Sequence, residues 1–433
     1  MSKNTIRYLL MLKTDVLIIG AGITGLSAGA ILGKRATVLE KNTIAGGTAQ
    51  SHVFGDYWFD HTVHFLLMED KGLLHWVKSL MGDSLKFSPL VVWVNTSEGR
   101  VRYPFQLNLG GLPKEKQMKC LYDFCSVYFN QGEINSYRDF LLNTFGQSMC
   151  DIFFFPYNEK SWKYPLDEMD GSGQTWNIHK PTPRDIMEGM KEPNKTRGDF
   201  NTQGYYPIPP KGQTPRGIKL LSHALADEAY NIIYDAEVVN IDIKSKCVTF
   251  TDGNKFSYYY YNKLLSTIPL PLLMWLCTPP ERLKRDVNTL KWISMQSIAV
   301  SVKGERTSDC HYEYFSDTKI PFNKVTYTTE FDPYSAPDDG YGLLLEVKDS
   351  NYPEDIIDIL YETKVLKKDD KVVDVNSWIV DPAYVVFTKN THRIVADCHE
   401  WLQSNNITSL GRYGNWEYSS MAKNIKDGVE YAT

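Results

Sequence analysis

Three glycines, Gly20, Gly22 and Gly25, directly follow the apolar run Val16-Leu17-Ile18-Ile19, and a carboxylate, Glu40, comes fifteen residues after the last of them. Residues of these types at this spacing bind a dinucleotide. The first glycine permits a tight turn from strand to helix, the second lets a pyrophosphate approach the backbone, and the third lets the helix pack on the strand. The phosphates then meet free N–H groups at the helix N-terminus, where Ile23 and Thr24 stand. Glu40 is positioned to accept the ribose hydroxyls.

The elements around this turn suit it. Residues 14–19 form a short β-branched run, 26–32 are small and apolar like a crossover helix, and 36–40 read as the second strand of a βαβ unit. From Asp70 to about Met190 the pattern turns helical, with helices expected at 71–81, 114–129 and 136–145. Residues 194–216, rich in Pro, Gly and Lys, read as a mobile or extended connector with room for a lid. A strand is expected at 232–243, turned by Lys244-Ser245-Lys246 into a return over 247–251, with a further buried strand at 263–269. Residues 292–390 are rich in strands, among them 298–302, 324–329 and 343–347, and are expected to build an antiparallel sheet before a final helix at 421–431.

The expected class is α/β: a Rossmann-like dinucleotide-binding domain (14–70, 210–290 and 395–433), an inserted helical domain (71–200) and an antiparallel substrate domain (291–394). A net charge of −5 lacks the basic footprint of a nucleic-acid binder. Seven cysteines without a CxxC pair fit reduced thiols in a cytoplasmic protein better than a disulfide framework. The apolar stretch 8–12 is too short for a secretory signal and no run is long enough to span a bilayer, so a soluble protein without membrane partners is expected. With no His/Cys cluster at zinc spacing and no GxSxG elbow, metal sites and hydrolase chemistry are not expected. The charge runs Asp338-Asp339 and Lys367-Lys368-Asp369-Asp370 read as solvated loops.

Several blocks together resemble the flavoproteins that bind FAD in the manner of glutathione reductase, and within them the UDP-galactopyranose mutase-like group, whose wider superfamily includes protoporphyrinogen and amine oxidases. They are the glycine turn with Glu40, Phe59-Asp60-His61-Thr62-Val63-His64, Tyr103-Pro104-Phe105-Gln106, Pro156-Tyr157-Asn158-Glu159-Lys160-Ser161-Trp162, Ser266-Thr267-Ile268-Pro269 and Gly411-Arg412-Tyr413-Gly414-Asn415-Trp416-Glu417-Tyr418. The resemblance implies FAD, held by the turn and by Lys41, Gly46, Gly47, Thr48, Val238, Gly411, Ser420 and Met421. It places Arg412 beside the flavin, Tyr418 towards substrate and His64 on a loop beside the ring, the three catalytic candidates. A positive charge or helix dipole there stabilises an anionic reduced flavin.

The departures from that pattern concern the substrate. The mutases commonly carry two glycines before the loop histidine, where this chain has Thr62-Val63; positive φ is costly for Val, so a stiffer loop is expected. Arginines that clamp a diphosphate in the mutases align with His179-Lys180 and Lys303, and a Phe-Tyr-Arg triplet reads Phe322-Asn323-Lys324. Lysines bind phosphate as point charges, without the guanidinium fork. Tyr157, Asn158, Trp162 and Tyr384 complete the expected substrate set with Tyr418. After Gly46-Gly47 the flanking basic residues are replaced by Thr48-Ala49-Gln50-Ser51, leaving backbone donors for the diphosphate.

Three activities follow from the resemblance. In the first, reduced-flavin N5 attacks the anomeric carbon of a nucleotide-sugar and the pyranose ring recloses as a furanose, with NAD(P)H or another reductant priming the cofactor. In the second, a small molecule such as an amine or porphyrinogen is oxidised. In the third, the flavin is carried without turnover.

Overall fold

From Val16 to Ile19 the first strand, Leu12–Ile19, is fully buried, because parallel strands flank it on both sides: Ala36–Leu39 on one, Phe256–Ser266 on the other. A strand enclosed in this way reads as a continuous apolar run. The sheet continues outward from Phe256–Ser266 to Cys247–Thr251 and Glu237–Asp242, and from Ala36–Leu39 to Ile232–Ile233. Ile407–Ser409 pairs in parallel with the end of Phe256–Ser266. The strand expected over 232–243 is broken into two, with Asp235 at φ 51° between them; one piece joins each side of the sheet.

The computed structural model describes residues 12–172, 178–193, 195, 203–305, 308–348 and 354–433. Part of the expected apolar N-terminal stretch (8–11), part of the helical segment (173–177) and part of the expected connector (194 and 196–202) lie outside the described residues. Contacts divide the chain into two units. The first runs through Gly47 and adds Ser222–Thr289 and Arg393–Thr433; the second is Thr48–Leu221 with Leu290–His392. The boundary differs from the one expected from sequence: residues 48–70 and 210–221 belong to the second unit, which also unites the helical segment with the antiparallel sheet.

That union has a visible cause. The segment expected to be helical contains strands Val92–Thr96 and Gly99–Arg102, which extend the sheet of the second unit, Val92–Thr96 pairing in parallel with Tyr312–Phe315. The full order is Lys371–Val386, Lys291–Lys303, Gly340–Val347, Phe322–Tyr327, Tyr312–Phe315, Val92–Thr96, Gly99–Arg102. Ile298, Val300, Val325, Leu343 and Leu345 pack on one face with Ile356 and Leu360 of the helix Ile356–Glu362. Side chains alternate across a strand, so Lys324, Glu346 and Lys348 emerge on the opposite face. The helices Lys71–Met81, Lys114–Phe129 and Tyr137–Phe145 form where periodicity places them. Phe124, Phe140 and Phe145 build a core with Phe153 and Phe154.

The described part of the connector is anchored. Gln203–Pro207 pairs with Leu85–Pro89, and Arg216, 3% exposed, donates to Asp332 through Nε (2.7 Å) and Nη2 (2.9 Å) and to the carbonyls of Pro209, Pro210 and Gln213. The Lys367–Asp370 run is not all solvated: Asp370 is buried and accepts from the Tyr341 hydroxyl at 2.6 Å and the Lys367 N–H at 2.7 Å.

Candidate functional sites of the two units

In the first unit the glycine turn is drawn tight by its own backbone. Gly20 N–H donates to the Leu39 carbonyl at 2.8 Å with Gly20 at φ 97°, and Gly46 N–H donates to the Ala21 carbonyl at 2.7 Å. The Glu40 carboxylate, buried at the end of its strand, accepts from Ala21 N–H (2.8 Å) through one oxygen and from the Asn42 N–H (2.9 Å) and side-chain amide (2.8 Å) through the other. A carboxylate offers about four acceptor positions, so capacity remains for hydroxyls. A Cβ on Gly25 would lie 2.0 Å from the Gly20 carbonyl oxygen, whereas one on Gly22 would meet no protein atom within 4 Å. Gly25 is therefore required for packing, while Gly22 leaves space beside the helix N-terminus at Ile23. These residues fit a dinucleotide.

The C-terminal block closes on the same helix. A Cβ on Gly411 would lie 2.5 Å from Thr24 Oγ1, and one on Gly428 would lie 2.4 Å from the Thr24 carbonyl oxygen. The helix Met421–Ala432, capped by Ser420 Oγ accepting from Lys423 N–H, therefore packs closely against Ile23–Leu32. Arg412 donates from Nη1 to the Ser419 carbonyl at 3.0 Å, and its guanidinium lies 4.6 Å from the Tyr418 ring centroid. The structure thus brings Gly20, Gly22, Ile23, Thr24, Gly25, Glu40 and Gly46 together with Gly411. A Cβ on Gly47 would lie 3.3 Å from Gly22 Cα. Lys41 is exposed beside Glu40, and Val238 lies two residues beyond Ala236, whose N–H donates to the Glu40 carbonyl.

In the second unit Thr48 is half-buried, and His64 Nδ1 lies 2.6 Å from the Thr62 carbonyl oxygen. Neither Thr62 nor Val63 adopts positive φ, in keeping with a loop that has no glycine to exploit. Two residues earlier, His61 Nδ1 and His52 Nε2 approach to 2.8 Å, and the His61 carbonyl accepts from Trp378 Nε1 at 2.8 Å. Burial, with His52 alongside, pushes the His61 imidazole down to about 4, so it is neutral at physiological pH.

The polar face of the large sheet carries a buried ion triad. Glu346 takes Lys324 Nζ at 3.0 Å on one oxygen and Lys348 Nζ at 3.2 Å on the other. Burial opposes the charge on Glu346, yet the two ammoniums hold its carboxyl down to about 2. Lys348 Nζ also lies 3.1 Å from Met295 Sδ and 3.9 Å from the Tyr384 ring centroid, and Lys324 Nζ lies 4.8 Å from that of Tyr312. Rings continue outward: Tyr312 to Tyr314 at 5.5 Å, Tyr314 to Tyr157 at 5.5 Å, and Tyr384 to Trp162 at 6.1 Å. Of the expected substrate residues, this face gathers Lys324, Tyr157, Trp162 and Tyr384.

The other expected substrate residues take different places. Lys303 ends its strand in an exposed pair with Asp339 at 2.9 Å, eight residues from Met295 and thus about 26 Å along the strand from the triad. Asn158 is turned inward: its amide oxygen accepts from Trp162 Nε1 (3.0 Å) and Tyr137 (3.1 Å), bracing Trp162. Asn323 is buried, with its side-chain oxygen lacking a hydrogen-bond partner. The His179 carbonyl accepts from Gln106 at 2.9 Å, and Lys180 Nζ lies 5.2 Å from the Phe140 ring centroid. Lys348, Glu346, Tyr312 and Tyr314 were not among the expected residues. The signal for two of them was a Glu-x-Lys pair ending an apolar strand, Leu343-Leu344-Leu345-Glu346-Val347-Lys348.

Titration of two buried carboxyls gives the second unit opposite pH dependences. Glu346 is held below its ordinary 4.5, so its contribution is complete above that pH and is lost as pH falls towards 2. Asp60 is pushed up to about 6 by burial, against hydrogen bonds from Ile218 N–H, Tyr206 and Ser51; its contribution is complete below 3.8 and is lost as pH rises through 6. Urea midpoints measured from pH 2 to 7 are expected to lose their low-pH fall in Glu346→Gln and their decline between 3.8 and 6 in Asp60→Asn. Parallel curves for wild type and both variants would refute these assignments.

Among the described residues, no helix is long and apolar enough to cross a membrane, and no group of three or more His, Cys, Asp or Glu could hold a metal ion. The chain has the mixed α/β fold of a mutase and an oxidase of known structure, with a Rossmann-like dinucleotide-binding domain. A family model described as an NAD(P)-binding Rossmann-like domain matches residues 18–80. The structure is similar to that of reduced UDP-galactopyranose mutase, with a TM-score of 0.88 and 22% identity over 97% of this chain and 94% of that one. It is also similar to a putative protoporphyrinogen oxidase from Exiguobacterium sp. 255-15, with a TM-score of 0.70 and 14% identity over 98% of each chain. In sequence, the all-trans-retinol 13,14-reductase of Macaca fascicularis is 45% identical over 65 residues, 14% of this chain and 10% of that protein. The chain therefore matches about a tenth of the length of that curated relative.

Proposed function

We propose that this chain is an FAD-dependent isomerase of the UDP-galactopyranose mutase type, interconverting the pyranose and furanose forms of a nucleotide-sugar. The observation that carries the reading is the polar face of the second unit, where two ammoniums paired to one carboxylate lie against Tyr312 and Tyr384, rings that in turn contact Tyr314, Tyr157 and Trp162. Aromatic faces pack on a sugar or a base, and lysines bind phosphate oxygens as point charges. Similarity to a mutase over nearly the whole chain supports the reading from the side of the fold.

Bound in the reduced state, FAD supplies the nucleophile, its N5. The protein's share is binding and electrostatics. Gly22 leaves room for the pyrophosphate, Glu40 receives the ribose, and the Arg412 cation favours an anionic reduced ring. Lys324 and Lys348 draw in the anionic part of the substrate, while Tyr157, Trp162 and Tyr384 orient the sugar. NAD(P)H is the proposed reductant.

The test sets oxygen uptake against isomerisation. A mutase converts substrate only after dithionite or NAD(P)H has reduced it, and it consumes no oxygen in proportion to product. Oxidised protein whose flavin band is bleached by an amine or a porphyrinogen, with matching oxygen uptake, would replace the isomerase with an oxidase.

A further inference from the structure

Lys160 sits on the helix Phe155–Trp162, between Tyr157 and Trp162, but faces away from solvent, only 7% exposed. Its ammonium donates to three carbonyls of one neighbouring loop: Asp317 at 2.9 Å, Ile320 at 3.2 Å and Phe322 at 3.0 Å. Three donors meet three acceptors, so the group is saturated. The loop leads directly into Asn323 and Lys324 at the start of Phe322–Tyr327. The helix bearing two aromatic candidates and the strand bearing one lysine of the triad are therefore joined by a single charged side chain. The same helix is tied to Tyr137–Phe145 through Asn158, whose amide oxygen accepts from the Tyr137 hydroxyl at 3.1 Å.

We propose that Lys160 is a positioning residue for the substrate face, fixing the distance of Tyr157 and Trp162 from Lys324 by clamping the 317–322 loop to their helix. This rests on the nucleotide-sugar reading above. Lys160 touches no reacting atom; its effect is on substrate affinity, because a face assembled from two elements binds well only when their spacing is held. A thermodynamic signature follows from the same geometry. Burial pulls the ammonium down to about 7, with Asp317 on the loop opposing and Lys163 at the helix end adding to the depression. A neutral amine donates only two hydrogen bonds, so above that pH one of the three carbonyls loses its donor.

The experiment compares wild type with Lys160→Met, measuring KM and kcat of the reduced holoenzyme for a panel of nucleotide-sugars from pH 6 to 9, with hydrogen exchange of amides in 317–326 alongside. In wild type KM is expected to rise severalfold as pH passes 7 while kcat changes less. In the variant KM is expected to be about tenfold higher at pH 6, flat above pH 7, and accompanied by faster exchange in the loop. Should the variant fail to fold, the wild-type pH profile and exchange alone decide: KM and loop protection, taken relative to intrinsic amide exchange at each pH, that do not change across pH 7 overturn the proposal. Equal KM and equal exchange in both proteins overturn it while leaving the parent reading intact. Failure of the wild type to bind any nucleotide-sugar overturns the parent reading and this one with it.

Discussion

Gly25→Ala is expected to yield a protein that does not retain FAD. The added methyl would lie 2.0 Å from the Gly20 carbonyl oxygen, a backbone atom that cannot swing aside, so the helix Ile23–Leu32 must move off the strand. Overpacking costs about 1–3 kcal/mol and occasionally more; at the upper end, taken wholly from cofactor binding, that is roughly a hundredfold in affinity. Gly22→Ala provides the contrast, since its methyl meets no protein atom within 4 Å and intrudes only on the space left for phosphate. Gly22→Ala is expected to keep the wild-type unfolding midpoint while losing the flavin absorbance on desalting; Gly25→Ala is expected to lose both. A yellow, wild-type-like Gly25→Ala protein would remove the turn from the binding site.

The second large effect is expected at Arg216→Met. All five guanidinium N–H groups are engaged, by Asp332 and by the carbonyls of Pro209, Pro210 and Gln213, in a site where both charged partners are at most 3% exposed. Removing the arginine leaves a buried, uncompensated carboxylate, which costs about 3–5 kcal/mol. Arg216→Met combined with Asp332→Asn is expected to recover part of this, because the orphaned charge is gone while the three carbonyls still lack donors. Urea unfolding followed by tryptophan fluorescence measures both; a single-variant loss below about 1 kcal/mol would mean that the pair behaves like an exposed one.

These two cases mark what the sequence discloses and what it does not. Gly20, Gly22, Gly25 and Glu40 are legible because their chemistry lies within one βαβ unit, where spacing along the chain equals placement in space. The helices Lys71–Met81 and Lys114–Phe129 are legible for the same local reason. Arg216 and Asp332 are 116 residues apart, and nothing local announces their pairing. The triad depends on strand register: Lys324 stands opposite Glu346 only because Phe322–Tyr327 and Gly340–Val347 are antiparallel neighbours, with a register shift just before Lys324. Without that register Lys303, a lysine ending a strand, was as good a candidate as Lys348, yet it emerges far along the sheet. The strands Val92–Thr96 and Gly99–Arg102 were missed because two short strands gain stability only from the sheet they extend.

In the proposed reaction this chain, with its cofactor reduced, rearranges the ring of a nucleotide-sugar without net oxidation. Anaerobic incubation of the dithionite-reduced protein with UDP-galactopyranose and a panel of other nucleotide-sugars, followed by NMR of the products, addresses it directly. A furanose product is expected from at least one member, with none from the oxidised protein and loss of turnover in Lys348→Met. Unchanged sugars throughout, with the protein shown by its spectrum to hold reduced FAD, would contradict it.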